Sequence, residues 1–180
     1  MKRLLYGIVL LSLSGCVTPE SILFKSQITP IVTNDEFSDN IKILGISKID
    51  KTYAKKWNDW AGSSFNYYLR SFVSKKDSTL STHSIYTEFY SEGTGWLNLY
   101  RASIESGSEL EVREVDSDVS CSSGYCNYYE IISITMPEEL LLDHIDSGIS
   151  VKVYGKSGHS FVINLSPEQI SEQFKAIENL

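Results

Sequence analysis

The stretch FNYYLRSFVS at 65–74 puts Phe65, Tyr67, Leu69 and Val73 at alternate positions, with Tyr68, Arg70 and Phe72 between them. A period of two belongs to a strand, whose successive side chains point to opposite faces of a sheet. Rings on both parities imply that both sides of this strand are at least partly covered. Working outward, runs of the same kind recur at 41–47 on one side and at 83–91, 95–104, 109–116, 128–135, 150–154 and 160–165 on the other, each bounded by turn residues. Ser106-Gly107-Ser108 turns 95–104 back onto 109–116, and Gly155-Lys156-Ser157-Gly158 closes a hairpin between the last two runs. The count is about eight strands, at the spacing of an antiparallel sheet protein.

Two helices complete the series. Pro137 followed by Glu138 and Glu139 makes a favourable first turn, because proline costs nothing where its N–H would be unpaired and carboxylates suit the positive end of the helix dipole. Gly148 is expected to end that helix. Ser166-Pro167-Glu168-Gln169 is a capping box, after which Ile170, Phe174 and Ile177 share one face at helical spacing. The expected fold is mainly β: an antiparallel β-sandwich or curved sheet with one short helix and a C-terminal helix.

Composition agrees with this reading. Of 180 residues 42% are hydrophobic and 22% charged, the balance of a globular chain with one domain, and eleven Tyr, seven Phe and three Trp favour strands. Net charge is −7, and without residues 1–15, which hold Lys2 and Arg3 but no acid, 14 basic side chains face 23 acidic ones. Nucleic acid is therefore not an expected partner. The densest basic pairs, Lys55/Lys56 and Lys75/Lys76, are too small to displace counterions from a phosphate backbone.

The N-terminus carries a separate message. Lys2 and Arg3 precede the apolar run 4–13, which is too short to span a bilayer, since that takes about 20 residues. The run ends in Leu13-Ser14-Gly15-Cys16, which resembles the lipobox of bacterial lipoproteins. The resemblance implies a signal peptide over 1–15, cleavage between Gly15 and Cys16, and a diacylglycerol on the Cys16 thiol with further acylation of the new amino terminus. Two or three acyl chains anchor stably where one is marginal. Val17 follows the cysteine in place of the aspartate that retains enteric lipoproteins at the inner membrane. The expected location is the bacterial cell envelope, at the outer membrane and facing the periplasm. Residues 16–40, rich in Ser, Thr, Asn and Asp with two prolines and no sustained period, read as a lipidated cysteine and flexible tether of roughly 25–30 Å root-mean-square span. The alternative is that 22–24 or 28–32 lays a short edge strand on the domain, which otherwise runs over 41–180.

Cys121 and Cys126, in CSSGYC between two expected strands, read most simply as a disulfide in an oxidising compartment. The competing readings are a metal site and a redox-active pair. The first lacks HxxxH or HxC spacing around His83, His144 or His159, and the second lacks the C-x-x-C spacing of thioredoxin-like centres. No metal and no cofactor are expected. There is no G-x-S-x-G, H-E-x-x-H or G-x-G-x-x-G, so no catalytic residue is assigned; a hydrolase would have to gather a histidine and a carboxylate from distant segments. Trp57 and Trp60, in KKWNDWAGSS, are candidate sugar-stacking residues, with a core role as the plainer alternative.

Five further segments carry a family resemblance: Tyr68-Leu69-Arg70; Tyr100-Arg101-Ala102 before a glycine turn; the Cys121/Cys126 loop followed by Glu130; the helix at 137–142; and Val151-Lys152-Val153-Tyr154-Gly155 leading to the terminal helix. Together they resemble a group of uncharacterised Gram-negative lipoproteins, a likeness that brings no activity or substrate. The expected function is binding: a tethered β domain that recognises another envelope component, such as a protein, through a sheet face or the Cys121–Cys126 loop, or alternatively a carbohydrate- or peptidoglycan-binding module using Trp57 and Trp60, with an envelope hydrolase as a further alternative.

Overall fold

The structure is a computed structural model that describes residues 27–50, 63–77, 79–93, 95–122 and 124–180. Gly15, Cys16, Trp57 and Trp60, the 22–24 alternative and the signal peptide lie outside the described residues. The described chain is mainly β, with strands β1 (Ile31–Thr33), β2 (Asn40–Leu44), β3 (Lys48–Asp50), β4 (Ser63–Ser74), β5 (Leu80–Glu92), β6 (Leu99–Ile104), β7 (Glu109–Leu110), β8 (Val112–Ser122) and β9 (Tyr125–Met136). After helix α1 (Glu138–Asp143) come β10 (Ile149–Gly155), β11 (Ser160–Leu165) and helix α2 (Pro167–Glu178).

Two antiparallel sheets result. The larger has the order β1-β2-β4-β5-β9-β8, with β3 also on β4; the smaller has the order β11-β10-β6-β7. They close face to face as a β-sandwich. Alternation decides what goes inside: Phe65, Leu69, Ile85, Phe89, Ile132 and Ile134 from the larger sheet meet Ala102, Val151, Val153, Phe161 and Ile163 from the smaller, all at most 3% exposed. The Phe161 ring crosses the sandwich to lie 4.5 Å from Phe65 and 5.5 Å from Phe89. Each of these Val, Leu, Ile and Phe side chains contributes about 1.5–3 kcal/mol by leaving water.

Helix α2 covers the part of the larger sheet's inner face that the smaller sheet leaves open. Its capping box forms, with the Gln169 amide donating to Ser166 Oγ at 3.3 Å and the Ser166 amide donating to Gln169 Oε1 at 3.2 Å. Ile170 is fully buried, and Phe174 packs edge-on against His83 at 5.3 Å. Two glutamines also face inward: Gln169 donates to the Ile46 carbonyl and Gln173 to the Ile43 carbonyl and Ser71 Oγ.

Four sequence expectations change. Within the stretch read as tether, the Gln27 amide donates to Ser47 Oγ at 2.7 Å and Ile31–Thr33 pairs with β2, so the edge-strand alternative describes 31–33 and the domain begins before residue 41. Three β-branched residues in a row supply the strand preference. The run 95–104 is a strand only from Leu99. The run 109–116 is split at Glu111: Leu110 and Glu109 pair with β6, after which the chain bends across to β9 in the other sheet, a corner common in sandwiches. Helix α1 stops at Asp143, short of Gly148; that glycine, at φ +74°, turns the chain where a Cβ would meet the Leu165 carbonyl at 2.5 Å.

Candidate functional site

The segment between β5 and β6 departs from regular structure for a traceable reason. Leu97 and Leu99 are alternate apolar residues and both are buried, at 0% and 7% exposure. Burying them carries their backbone amides out of water, where an unpaired donor costs about 1–3 kcal/mol. Glu130, itself buried on the inner face of β9, accepts both: the Leu97 amide donates to Oε1 at 2.5 Å and the Leu99 amide to Oε2 at 3.0 Å. From the other side, the Lys156 and Ser157 amides donate to the Asn98 and Leu97 carbonyls at 3.1 and 3.2 Å. Gly155 permits that approach, since a Cβ there would stand 2.6 Å from the Leu97 carbonyl oxygen.

A loop held on both sides presents its remaining side chains in fixed positions. These are Trp96, Asn98 and Tyr100. Trp96 packs edge-on against Tyr128 at 5.1 Å. Asn98 sits at φ +54°, a conformation asparagine tolerates better than most residues. Tyr100 is the extra residue of a β-bulge, since Tyr154 pairs with Arg101 but Gly155 with Leu99; bulges re-aim side chains at sheet edges, and this ring is half exposed. Together they line a cleft of about 380 Å³ at the open edge of the sandwich, facing Glu114 and Ser117 of β8, with Glu130 and Ile132 in its floor and Lys156 at its rim. The Lys156 amine lies 5.9 Å from the Tyr100 ring. The groups gathered there are two aromatic surfaces, an amide, a hydroxyl, two carboxylates, of which Glu130 is taken up by the loop amides, and one amine.

The outer sheet faces carry two further aromatic clusters. On the smaller sheet, the Arg101 guanidinium lies 4.2 Å and the Lys152 amine 5.1 Å from the Tyr154 ring. The hydrogen bond to Ser103 and the adjoining cations lower the Tyr154 phenol pKa. On the larger sheet, Arg70 lies over Tyr86 at 4.6 Å and Phe72 at 5.2 Å while donating to Ser133 Oγ at 3.2 Å, and Tyr68 stacks on Tyr86. Burial raises the Tyr68 phenol and the Glu88 carboxyl, the latter opposed by a hydrogen bond from Asn66.

Cys121 and Cys126 form a disulfide across directly opposed positions of the β8–β9 hairpin, with Cα atoms 4.0 Å apart. The strands run through both cysteines, so the bridge staples strand to strand and leaves Gly124 and the exposed Tyr125 at the tip. Among the described residues, no three His, Cys, Asp or Glu side chains converge as metal ligands.

The three histidines stand in three places. His83 is buried at 1% exposure, its Nδ1 2.7 Å from Ser71 Oγ, which in turn accepts from Gln173 Nε2 at 2.7 Å. Burial lowers its pKa to about 4, so the ring is neutral, and its Nδ1 shares a hydrogen bond with the Ser71 hydroxyl. This serine–histidine pair lies sealed beneath α2 with a glutamine as its third member, a core network and not a nucleophile and base. His159 is half-buried ahead of β11. His144 lines a wider hollow of about 750 Å³ that also includes Lys48, Glu105, Ser147 and Asn164, and its Nδ1 is hydrogen-bonded to the Leu140 carbonyl at 2.8 Å. A histidine and a carboxylate thus share one hollow, with Glu105 exposed on its turn.

Sequence reasoning missed Trp96, Asn98 and Lys156 as site residues. The available signal was the alternation Trp96-Leu97-Asn98-Leu99-Tyr100 straight after Gly95, in which apolar residues go in and larger polar or aromatic ones stay out. A scan against protein-family models, a search of curated proteins and a search of solved structures found no match to this chain.

Proposed function

We propose that this chain is an envelope lipoprotein, held to the membrane by lipidated Cys16, whose β-sandwich binds another component of the envelope in the cleft beneath Trp96 and Tyr100. The N-terminal pattern, with its positive residues, apolar run and Leu13-Ser14-Gly15-Cys16, supports the anchor. The observation that carries the binding role is the double restraint of the 95–99 loop. Glu130 holds two of its amides and the β10–β11 turn holds two of its carbonyls, so the recognition side chains are ordered before any ligand arrives. Preorganisation of this kind lowers the entropic cost of binding.

The test is a photoreactive side chain placed at Lys156, on the cleft rim, and in a second copy at Glu178, at the far end of α2, each expressed in cells with the lipobox intact and with Cys16→Ser. A dominant envelope adduct at position 156, absent at position 178 and lost with Cys16→Ser, is the expected result. Equal adducts at both positions, or none at 156 while the protein remains in the membrane fraction, overturns the reading.

A further inference from the structure

We infer that the cleft takes an acidic oligosaccharide, a short glycan bearing carboxylate groups. The inference rests on the reading of the cleft as the binding site and names its ligand class. A pyranose ring offers an apolar C–H face and a rim of hydroxyls, and the cleft answers both. Trp96 and Tyr100 supply ring surfaces; Asn98, Ser117 and Glu114 supply donors and acceptors within the same hollow. The volume of about 380 Å³ lies within the range of small-ligand sites, about 300–1,000 Å³, and suits the terminal units of a glycan.

The carboxylates follow from the distribution of charge. The chain is acidic overall, at −7, yet the cleft rim leads onto a row in which cations and tyrosines alternate. Lys156 stands by Tyr100, and Arg101 and Lys152 lie over Tyr154. Of these three cations, Arg101 has an acidic neighbour in Glu109 at 3.6 Å, an exposed pair that is worth little in water. The bulge at Tyr100 brings this about, because it turns both Tyr100 and Arg101 away from the core on consecutive residues. A neutral sugar would use the stacking rings with Asn98, Ser117 and Glu114, leaving the cationic row without a role. An acidic one engages the row as the glycan leaves the cleft.

The experiment titrates the full protein, purified from membranes in detergent, with two disaccharides of equal ring count: N-acetylglucosaminyl-N-acetylmuramic acid, whose lactyl group carries a carboxylate, and neutral chitobiose. Calorimetry gives affinity, and saturation-transfer NMR identifies the sugar protons in contact. The acidic disaccharide is expected to bind about tenfold more tightly than chitobiose, and Tyr100→Ala to weaken it by a further factor of about ten. Lys152→Glu with Lys156→Glu is expected to abolish the preference between the two sugars, and Lys175→Glu on α2 to leave it intact. Asn98→Gly keeps the backbone conformation while removing the amide, and is expected to weaken both sugars in a chain whose circular dichroism is unchanged. Equal affinity for the two sugars, indifference to Tyr100→Ala, or no binding by the folded protein overturns the inference. A protein adduct at position 156 combined with no sugar binding removes the glycan and leaves the recognition role; sugar binding that neither Tyr100→Ala nor Asn98→Gly weakens places the glycan outside the cleft and overturns the inference.

Discussion

Two polar nodes lie on the inner face of the larger sheet, six residues or about 20 Å apart along β5, and they are built differently. At one end, next to Phe89, the Glu130 carboxylate is matched oxygen by oxygen to two backbone amides. At the other end, His83, Ser71 and Gln173 share two hydrogen bonds and leave His83 Nε2 and Gln173 Oε1 buried without a partner among the described residues. The first node spends a buried charge on positioning a loop. The second fills the space under a helix with neutral groups. The difference teaches that burial of a polar side chain marks a site only when its bonds determine where other, exposed groups stand.

That contrast can be broken by removing each node. Glu130→Ala strands two buried amides and is expected to cost about 3–5 kcal/mol, read as a lowered urea midpoint, and to abolish capture at position 156; a loss below about 1 kcal/mol would show that the clamp holds nothing. The His83 node responds to acid instead. Its folded pKa of about 4 lies below the ordinary 6.5 because burial disfavours the imidazolium, so the unfolded chain takes up the proton first. Stability from this residue is present above pH 6.5, is lost as pH falls from 6.5 to 4, and stays level below that. The loss amounts to about 3 kcal/mol at most. Urea midpoints of the native chain minus those of His83→Leu, measured across that window, isolate the slope; parallel curves would mean the ring is solvated.

Two smaller effects sharpen the comparison. Cys126, Tyr128 and Glu130 alternate on one face of β9, so breaking the disulfide loosens the strand that carries the clamp. Cys121→Ser with Cys126→Ser is expected to cost about 2 kcal/mol by the chain-entropy model and to broaden the indole NMR signal of Trp96, which rests on Tyr128. An unchanged midpoint and indole signal would separate the hairpin from the site. Ser166→Ala, which removes the cap of α2 above His83, is expected to cost about 1 kcal/mol and to speed hydrogen exchange along that helix while leaving the cleft unaltered. Faster exchange at Leu97 and Leu99 as well would mean the two nodes are coupled.

Much of the architecture was legible because it depends on near neighbours. Alternation at 65–74 specified a strand and its two faces, similar runs at 83–91 and 128–135 specified strands, the capping box placed the start of α2, and the Cys121/Cys126 spacing suited a disulfide, read as a loop staple although it joins opposed strand positions. The polar run 109–122 has no such alternation, and there the change of sheet at Glu111 went unseen. The site was harder still, because Glu130 reads along its strand as an ordinary glutamate.

By itself, then, the sequence determined the strand periodicity, the helix cap, the acidic balance and an N-terminal pattern that resembles a lipobox, all of which arise from chemistry within a few residues. Tertiary structure alone decided that Glu130 would meet Leu97 and Leu99, 33 and 31 residues away, and that Tyr100 would be turned out over Lys156. Those contacts exist only once two sheets have packed and amides buried between them need an acceptor, a demand no local pattern records.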